Sequence, residues 1–190
     1  FRCGFLGMLH LEIVKERLLR EYNVPIIATT PSVGFLIKLK NGQEVLINNP
    51  ADFPDPTLIE TIKEPYMETE IIVPTEYIGN VMKLAQERRG IQKDIQYLDE
   101  KRVALHYEMP LIEIIFDFYD KLKTVSRGYA SLDYTFLEYR PSDVVKVDIL
   151  INGEKVDAMS FICHKDKAHS WGKSVTDTLA EVIPRHLFKI

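Results

Sequence analysis

The 190-residue sequence predicts an α+β protein, and two patterns carry this prediction. Between residues 66 and 140, four segments alternate apolar and polar side chains as strands do, and two segments repeat apolar residues at helical spacing. Their order is strand, helix, strand, strand, helix, strand, which is the βαββαβ arrangement of a ferredoxin-like sandwich. A partial ferredoxin-like domain is predicted before this sandwich, and the start of a further α+β domain after it.

Residues 1–48 predict one amphipathic helix followed by a hairpin. Apolar residues recur at helical spacing in "GMLHLEIVKERLLREYNVP", and Asn23 and Pro25 end the helix. Asn41-Gly42 is a strong hairpin-turn signal. Because these elements form an incomplete domain that cannot bury both its helix and its sheet faces, we expect a set of early apolar side chains to be poorly covered, or covered by another copy of the chain. This set is Phe1, Phe5, Leu6, Leu9 and Ile13. The opening "FRCGFLGM" lacks an initial Met, so we also expect a piece of a longer protein.

Residues 49–65 predict an acidic, proline-rich linker, and residues 66–140 the sandwich itself. The strands are "YMETEIIVP", "IQKDIQYL", "RVALHYEMP" and the stretch after Gly128. The first helix, capped by Thr75, is expected to bury Ile78, Val81, Met82 and Ala85. The second helix is "LIEIIFDFYDKLKTV". Residues 141–190 predict the start of another domain, with a hairpin on Asn152-Gly153 and a helix over "AHSWGKSVTDTLAEVIP".

The last strand of the sandwich, in "SRGYASLDYTFLEYRPSD", raises the question of RNA stacking. Alternation by twos predicts a core face made of Ala130, Leu132, Tyr134 and Phe136. The opposite face, made of Tyr129, Ser131, Asp133 and Thr135, carries a single ring. One ring is too few for a row of stacked bases, so the pattern favours a half-buried strand.

Composition and charge narrow the function classes. Hydrophobic residues make up 46% of the chain and charged residues 27%, which is typical of a soluble globular protein. No apolar run reaches the roughly 18 residues that span a bilayer. The net charge of −4 argues against strong nucleic-acid binding, although residues 41–80 hold eight acids and one lysine and so concentrate the acidity. Two cysteines, Cys3 and Cys163, are too few for a disulfide framework.

Catalytic motifs are missing from the sequence. It contains neither G-x-x-x-x-G-K-[ST] nor G-x-G-x-x-G, so no phosphate-cradling loop is predicted. Cys163, His164 and His169 are a weak metal signal because a second cysteine pair is missing. His10 beside Glu12 lacks a nucleophile in its segment and is better read as a packing or capping residue. We therefore predict no catalytic, cofactor-binding or metal-binding residue in this chain.

Basic residues are the better candidates, as contacts to RNA phosphate. The βαββαβ topology brings the turn between the second and third strands to the end of the second helix. One edge then collects Lys101, Arg102, Lys121, Lys123 and Arg127, and the opposite edge receives Arg88, Arg89 and Arg140. Basic residues at helix ends also interact favourably with the helix dipole, so plain stabilisation is the alternative.

Three long runs carry a resemblance to translational GTPases. "GFLGMLHLEIVKERLLREY" resembles their segment in which a glycine-rich strand end leads into an "LHLEI" helix. "MPLIEIIFDFYDKLKTVSRGYASLDYTFLEYRPSD" resembles the second helix and last strand of domain V of elongation factor G. "VKVDILINGEKVDAMSFICHKDKA" departs from elongation factor G and is similar to the LepA (elongation factor 4) family. The similarity covers essentially the whole chain.

The resemblance implies a domain assignment: residues 1–48 correspond to the second half of domain III, 66–140 to domain V, and 141–190 to the start of the LepA-type C-terminal domain. It implies a parent GTPase that acts on elongating ribosomes in back-translocation and translation fidelity, with ribosomal RNA and tRNA as partners. GTP and Mg would bind to parts of the parent that have no counterpart here, so this chain is expected to be noncatalytic, without a cofactor or small-molecule substrate. A cytoplasmic location, with peripheral association to the inner face of the cell membrane, is also implied.

Two other classes of function stay open from the residues alone. The first is a ferredoxin-like regulatory or protein-interaction module unrelated to the ribosome, since this fold hosts many functions. The second is an enzyme built around His10, His164 and Asp166, which requires those side chains to lie within hydrogen-bond reach of one another.

Overall fold

The computed structural model describes residues 8–26, 33–115 and 117–184, and divides the chain into two compact units, 1–32 and 33–190. In the first unit, helix α1 spans Met8–Tyr22. Asn23 ends it with a left-handed φ of 54°, where the N–H groups of Asn23 and Val24 bond back to the last-turn carbonyls. Ile13 is exposed, as expected for this set of side chains. Phe1, Phe5 and Leu6, and the side chain of Leu9, lie outside the described residues.

The second unit begins with a hairpin of β1 (Phe35–Leu39) and β2 (Glu44–Ile47). The turn contains Asn41-Gly42 as predicted, but Leu39 bonds to Gln43, which leaves a three-residue loop with Gly42 at φ 85°. The hairpin belongs to the second unit and not to residues 1–32. Strand β1 pairs with the next strand, β3, so the expected boundary at residue 48 is wrong for the hairpin.

Strand β3 spans Ile59–Pro74 and therefore enters the predicted linker 49–65. Its first residues pair with β1, which satisfies backbone groups that the linker interpretation left to solvent. Only residues up to Leu58 form connecting structure, in two short 3₁₀ turns, Pro50–Asp52 and Pro56–Leu58. Prolines at the start of these turns, with Asn49 and Asp55 accepting backbone N–H bonds, account for the proline-rich composition.

The predicted βαββαβ unit is confirmed. After β3 come α2 (Ile78–Glu87), β4 (Ile91–Tyr97), β5 (Arg102–Pro110), α3 (Leu111–Ile115), α4 (Phe118–Val125) and β6 (Ser131–Pro141). All strand pairs are antiparallel, in the order β6-β3-β5-β4. The helices and one sheet face enclose the main core, which includes Val81, Leu105 and Phe118. Ile78 and Met82 are only partly buried against it, and Thr75 opens a 3₁₀ turn without a side-chain cap.

Two further expectations about this unit are wrong. The second predicted helix is not continuous. Asp117 has a left-handed φ of 51° and separates α3 from α4. The predicted core face of β6 is also only partly buried. Ala130 is buried and Leu132 packs on the core, but Tyr134 is 43% and Phe136 57% exposed. Strand β6 begins shortly after the end of α4, at Ser131–Leu132, and continues well beyond it. The helices therefore cover its later residues less.

The remaining residues form β7 (Val144–Val147), β8 (Leu150–Ile151), β9 (Glu154–Lys155), β10 (Phe161–His164) and α5 (Lys165–Val182). Asn152 and Gly153 both have positive φ, which confirms the predicted two-residue turn between β8 and β9. Strand β10 pairs with β7. A second core then joins Phe35 of the hairpin, Ile112 of α3 and Val144 and Ile162 of this ladder.

Candidate nucleic-acid interface

Seven of the eight predicted RNA-contact residues separate into an inner group and an outer group. Arg88, Arg89 and Arg140 form the inner group at the end where α2 finishes. The outer group lies at the other end of the sheet, where the chain passes from β3 to α2, and consists of Lys101, Arg102, Lys123 and Arg127. We call this outer group the basic edge. Lys121 belongs to neither group: it lies two residues before Lys123 on α4, with its ammonium 2.9 Å from the Asp117 carboxylate.

Arg89 is the centre of a buried ion cluster. Left-handed backbone at Arg89, φ 57°, carries the chain from α2 toward β4 and turns the side chain inward. Its guanidinium donates to both carboxylate oxygens of Glu64, at 2.6 and 3.1 Å, and through Nε to Glu113 at 2.9 Å. Glu64 and Glu113 are fully buried. Burial alone lowers the pKa of Arg89, but the bonds to these carboxylates outweigh it and raise the pKa above its usual value.

Arg88 and Lys167 complete this cluster. Arg88 is 7% exposed and contacts the carboxylates of Asp117 and, at 3.6 Å, Glu113. Lys167, from the first turn of α5, donates to Glu113 at 2.6 Å. Arg88 and Arg89 are thus paired with carboxylates of this protein rather than presented to a partner. Sequence reasoning missed Glu113, although one charge inside the apolar run "LIEIIF" was a signal that a cation must face it.

Arg140 is also engaged within the protein. Its guanidinium lies 2.7 Å from Glu108 and 2.7 Å from Glu138, and 4.7 Å above the centroid of the Tyr66 ring. Bonds from Arg140, and next from Lys93, lower the pKa of Glu108. Arg140 therefore stabilises neighbouring strands of the sheet. It does not extend the basic edge.

At the basic edge, two turns come together beside the start of α2. The N–H of Thr75 donates to the carbonyl of Lys101 at 2.9 Å, which holds the β4–β5 turn against the end of β3. The rings of Tyr77 and Tyr129 stack with centroids 6.2 Å apart and planes 11° from parallel, which holds the α4–β6 turn there as well. The exposed side chains of Lys101 and Arg127 therefore lie on neighbouring turns.

Two cations of the basic edge have local partners. Arg102 pairs with Asp99, whose carboxylate also accepts the N–H groups of Lys101 and Arg102 at 2.8 Å. These backbone bonds, with the Arg102 side chain, lower the pKa of Asp99. Lys123 donates to the carbonyls of Ala130 at 2.6 Å and Gly128 at 3.2 Å. Lys123 thus closes the α4–β6 turn and is less available than predicted.

Carboxylates dilute the positive charge of this edge. A shallow groove beside it is lined by Pro74, Thr75, Glu76 and residues 99–102, and so contains three acids. Opposite charges in one groove leave a weak electrostatic field there, whereas Arg127 is not among the residues that line the groove.

His164 and Cys163, which are weak metal or catalytic candidates by sequence, take part in local structure. Within residues 8–26, 33–115 and 117–184, no group of three His, Cys, Asp or Glu side chains is placed to hold a metal ion. The His164 ring accepts the N–H of Asp166 at 3.3 Å and so caps α5. Burial raises the pKa of the Cys163 thiol to about 11, which keeps it protonated near neutral pH. No helix in the described part of the chain is long and apolar enough to cross a membrane.

Two family profiles match consecutive parts of the chain: the elongation factor G C-terminus over residues 61–150 and the GTP-binding protein LepA C-terminus over residues 151–190. Elongation factor 4 of Anoxybacillus flavithermus is 54% identical over 190 residues, and that of Thermus thermophilus 55% over 192 residues. Each alignment covers 100% of this chain, and 31% and 32% of the two relatives. A solved structure from Thermus thermophilus matches 43% of the chain, and 12% of its own, at 23% identity and a TM-score of 0.40. The chain belongs to the LepA (elongation factor 4) family and spans about a third of the length of the relatives it matches.

Proposed function

We propose that this chain is a noncatalytic, ribosome-docking part of a LepA-type translation factor, and that the basic edge contacts ribosomal RNA. The observation that carries the proposal is the convergence of Lys101 and Arg127 on adjoining turns at one end of the sheet. Family membership supports the ribosome as the partner, because the matched relatives are elongation factors by name.

The finer parts of the function belong to the whole parent protein. There, GTP hydrolysis with Mg would be performed by regions outside the part matched here, and the consequence would be back-translocation on elongating ribosomes. The sequence lacks a phosphate loop, so we expect calorimetry to detect no saturable micromolar GTP binding by this chain. Binding at that affinity would contradict the noncatalytic assignment.

Co-sedimentation with ribosomes across a KCl series tests the docking role. Lys101→Glu with Arg127→Glu should weaken binding and flatten its salt dependence, because each lost phosphate contact lowers the slope of log K against log salt by about 0.7–0.9. Lys123 is left intact, since its ammonium closes a turn and its loss would disturb the fold.

Lys40→Glu with Lys83→Glu is the matched control, since both lysines are exposed and the charge change is the same. These residues lie on the hairpin turn and on α2. If both double variants weaken binding equally, only net charge matters and the basic edge is not the contact. If neither variant changes binding at any salt concentration, the ribosome contact lies elsewhere.

A further inference from the structure

We propose that Tyr129, supported by Tyr77, is a platform on which an unpaired RNA base stacks. This inference rests on the proposed RNA contact at the basic edge and names the part of the RNA that the edge takes. From the sequence, a single ring beside the last strand of the sandwich was too few for stacked RNA bases. In the structure a second ring, that of Tyr77, comes from a different element and stacks with Tyr129.

The two rings have unequal environments. Tyr77 is half-buried and packs against the main core, so its position is fixed by the sandwich. Tyr129 stacks nearly parallel to it, yet 68% of Tyr129 is exposed. An aromatic ring that is anchored from below and open to solvent suits a planar ligand, and every nucleobase has a π face that can stack on it.

The turn that carries Tyr129 is held in place before any ligand arrives. Ser126 donates to the Leu122 carbonyl at 2.7 Å and accepts the N–H of Ala130 at 3.0 Å. Lys123 binds the carbonyls of Gly128 and Ala130 from the other side. Gly128, at φ 85°, makes the sharp reversal. A preformed platform loses little conformational entropy when it binds, which favours stacking.

Charge around the platform favours a nucleotide over an uncharged aromatic ligand. Arg127 lies two residues before Tyr129 on the same turn, and its side chain is exposed. Lys101 lies on the adjoining turn. These cations can meet a phosphate next to a stacked base, while Glu76 and Glu100 in the groove disfavour phosphate on that side. Bases in a duplex already stack on one another, so the ligand should be unpaired.

Fluorescence anisotropy with two labelled RNAs tests the platform. One is an unstructured ten-nucleotide RNA, and the other is a hairpin in which all bases are paired except those of its closing loop. Tyr129→Ala should raise the Kd for the unstructured RNA about tenfold, the size expected for one lost base–aromatic stack. Tyr129→Phe keeps the ring and should stay within about twofold of the unchanged chain. The paired RNA should bind more weakly, and with the same affinity for all three proteins.

Tyr134→Ala is the matched control, because Tyr134 is also an exposed tyrosine but lies along β6, opposite Thr69. Circular dichroism verifies that each variant is folded. Equal affinities for Tyr129→Ala and Tyr134→Ala overturn the platform. If the Lys101→Glu, Arg127→Glu variant still loses ribosome binding in that case, the proposed docking role survives. If the chain sediments with ribosomes but does not bind the unstructured RNA, only the platform proposal is overturned. If it binds neither, both proposals are overturned.

Discussion

A single buried carboxylate, Glu113, determines how several cations of this protein are used. Burial alone would raise its pKa, but bonds from Lys167 and Arg89 hold the pKa below its usual value. A charge in the interior is tolerated only when it is paired and hydrogen-bonded, and Glu113 meets this condition with cations from α5 and the end of α2. Arg88 and Arg89, two of the eight residues predicted from the sequence to contact RNA phosphate, are therefore committed to pairing within the protein.

Glu113→Gln should destabilise the chain by about 1–3 kcal/mol, because Lys167 loses its charged partner and Arg89 is left with Glu64 alone. Urea denaturation followed by circular dichroism measures the change. Glu68→Gln, on an exposed position of β3, is the control and should stay within about 0.5 kcal/mol. Comparable losses in the two variants would mean that the cluster contributes no more than a surface charge.

The same carboxylate predicts a pH dependence. The folded pKa of Glu113 is lowered from its ordinary value of 4.5, so its contribution to stability is fully present above that pH. The contribution is lost as the pH falls below 4.5 and passes through the folded pKa. Denaturation midpoints of the unchanged chain should decline over this acid range, and those of Glu113→Gln should decline less steeply. Parallel curves for the two proteins would remove Glu113 as the cause.

At the scale of elements, the end of α2 depends on a close backbone approach. The N–H of Gly90 donates to the Ala85 carbonyl at 2.8 Å, just after left-handed Arg89, and this bond closes the helix. A Cβ at Gly90 would lie 2.7 Å from the same carbonyl oxygen, with Tyr107 also in contact. This end of α2 directs Arg88 and Arg89 toward the buried acids, so local backbone geometry positions the ion cluster.

Gly90→Ala should cost about 1–3 kcal/mol, because the added methyl forces the helix end and β4 apart. Gly79→Ala in the first turn of the same helix meets nothing within 4 Å, and should be neutral or stabilising by up to about 1 kcal/mol. Thermal denaturation of the two variants compares them directly. A destabilised Gly79→Ala, or a neutral Gly90→Ala, would contradict the assignment of the constraint to the helix end.

Element types were predictable from sequence because periodicity is a local property. The strands at 66–74, 91–97 and 102–110, and helix α2, follow directly from alternation and helical spacing. The break at Asp117 was not predictable in this way, since the Arg88 that binds its carboxylate comes from another element. The exposure of Phe136 was missed for a similar reason: alternation defines which side chains share a face of β6, but not how far a helix covers that face.

At the scale of the whole molecule, β3 and the ion cluster link parts that the sequence suggested were separate. The hairpin joins the sandwich through β1–β3 pairing, a long-range match that turn and linker composition do not encode. The candidate site was recovered only in part for the same reason. Topology alone brought Lys101 and Arg127 to one edge, whereas the Tyr77–Tyr129 stack required the packed structure.

The attachment of α5 to the sandwich gives the last prediction. Lys167 joins the part that matches the LepA C-terminus to Glu113 in the part that matches elongation factor G, and also lies 3.4 Å from the Glu87 carbonyl. Lys167→Met keeps the apolar stem and removes this charged hydrogen bond, while Arg89 still neutralises Glu113. We expect amide hydrogen exchange across Lys165–Val182 to accelerate about tenfold, as a charge-assisted bond of about 1.5–3 kcal/mol allows, with β3 and β5 unchanged.

The control is Lys173→Met, which replaces an exposed lysine on the same helix and should leave exchange as it is. Equal exchange in both variants would show that α5 is held by its apolar stripe, such as Trp171 against Phe161, and not by the ion cluster.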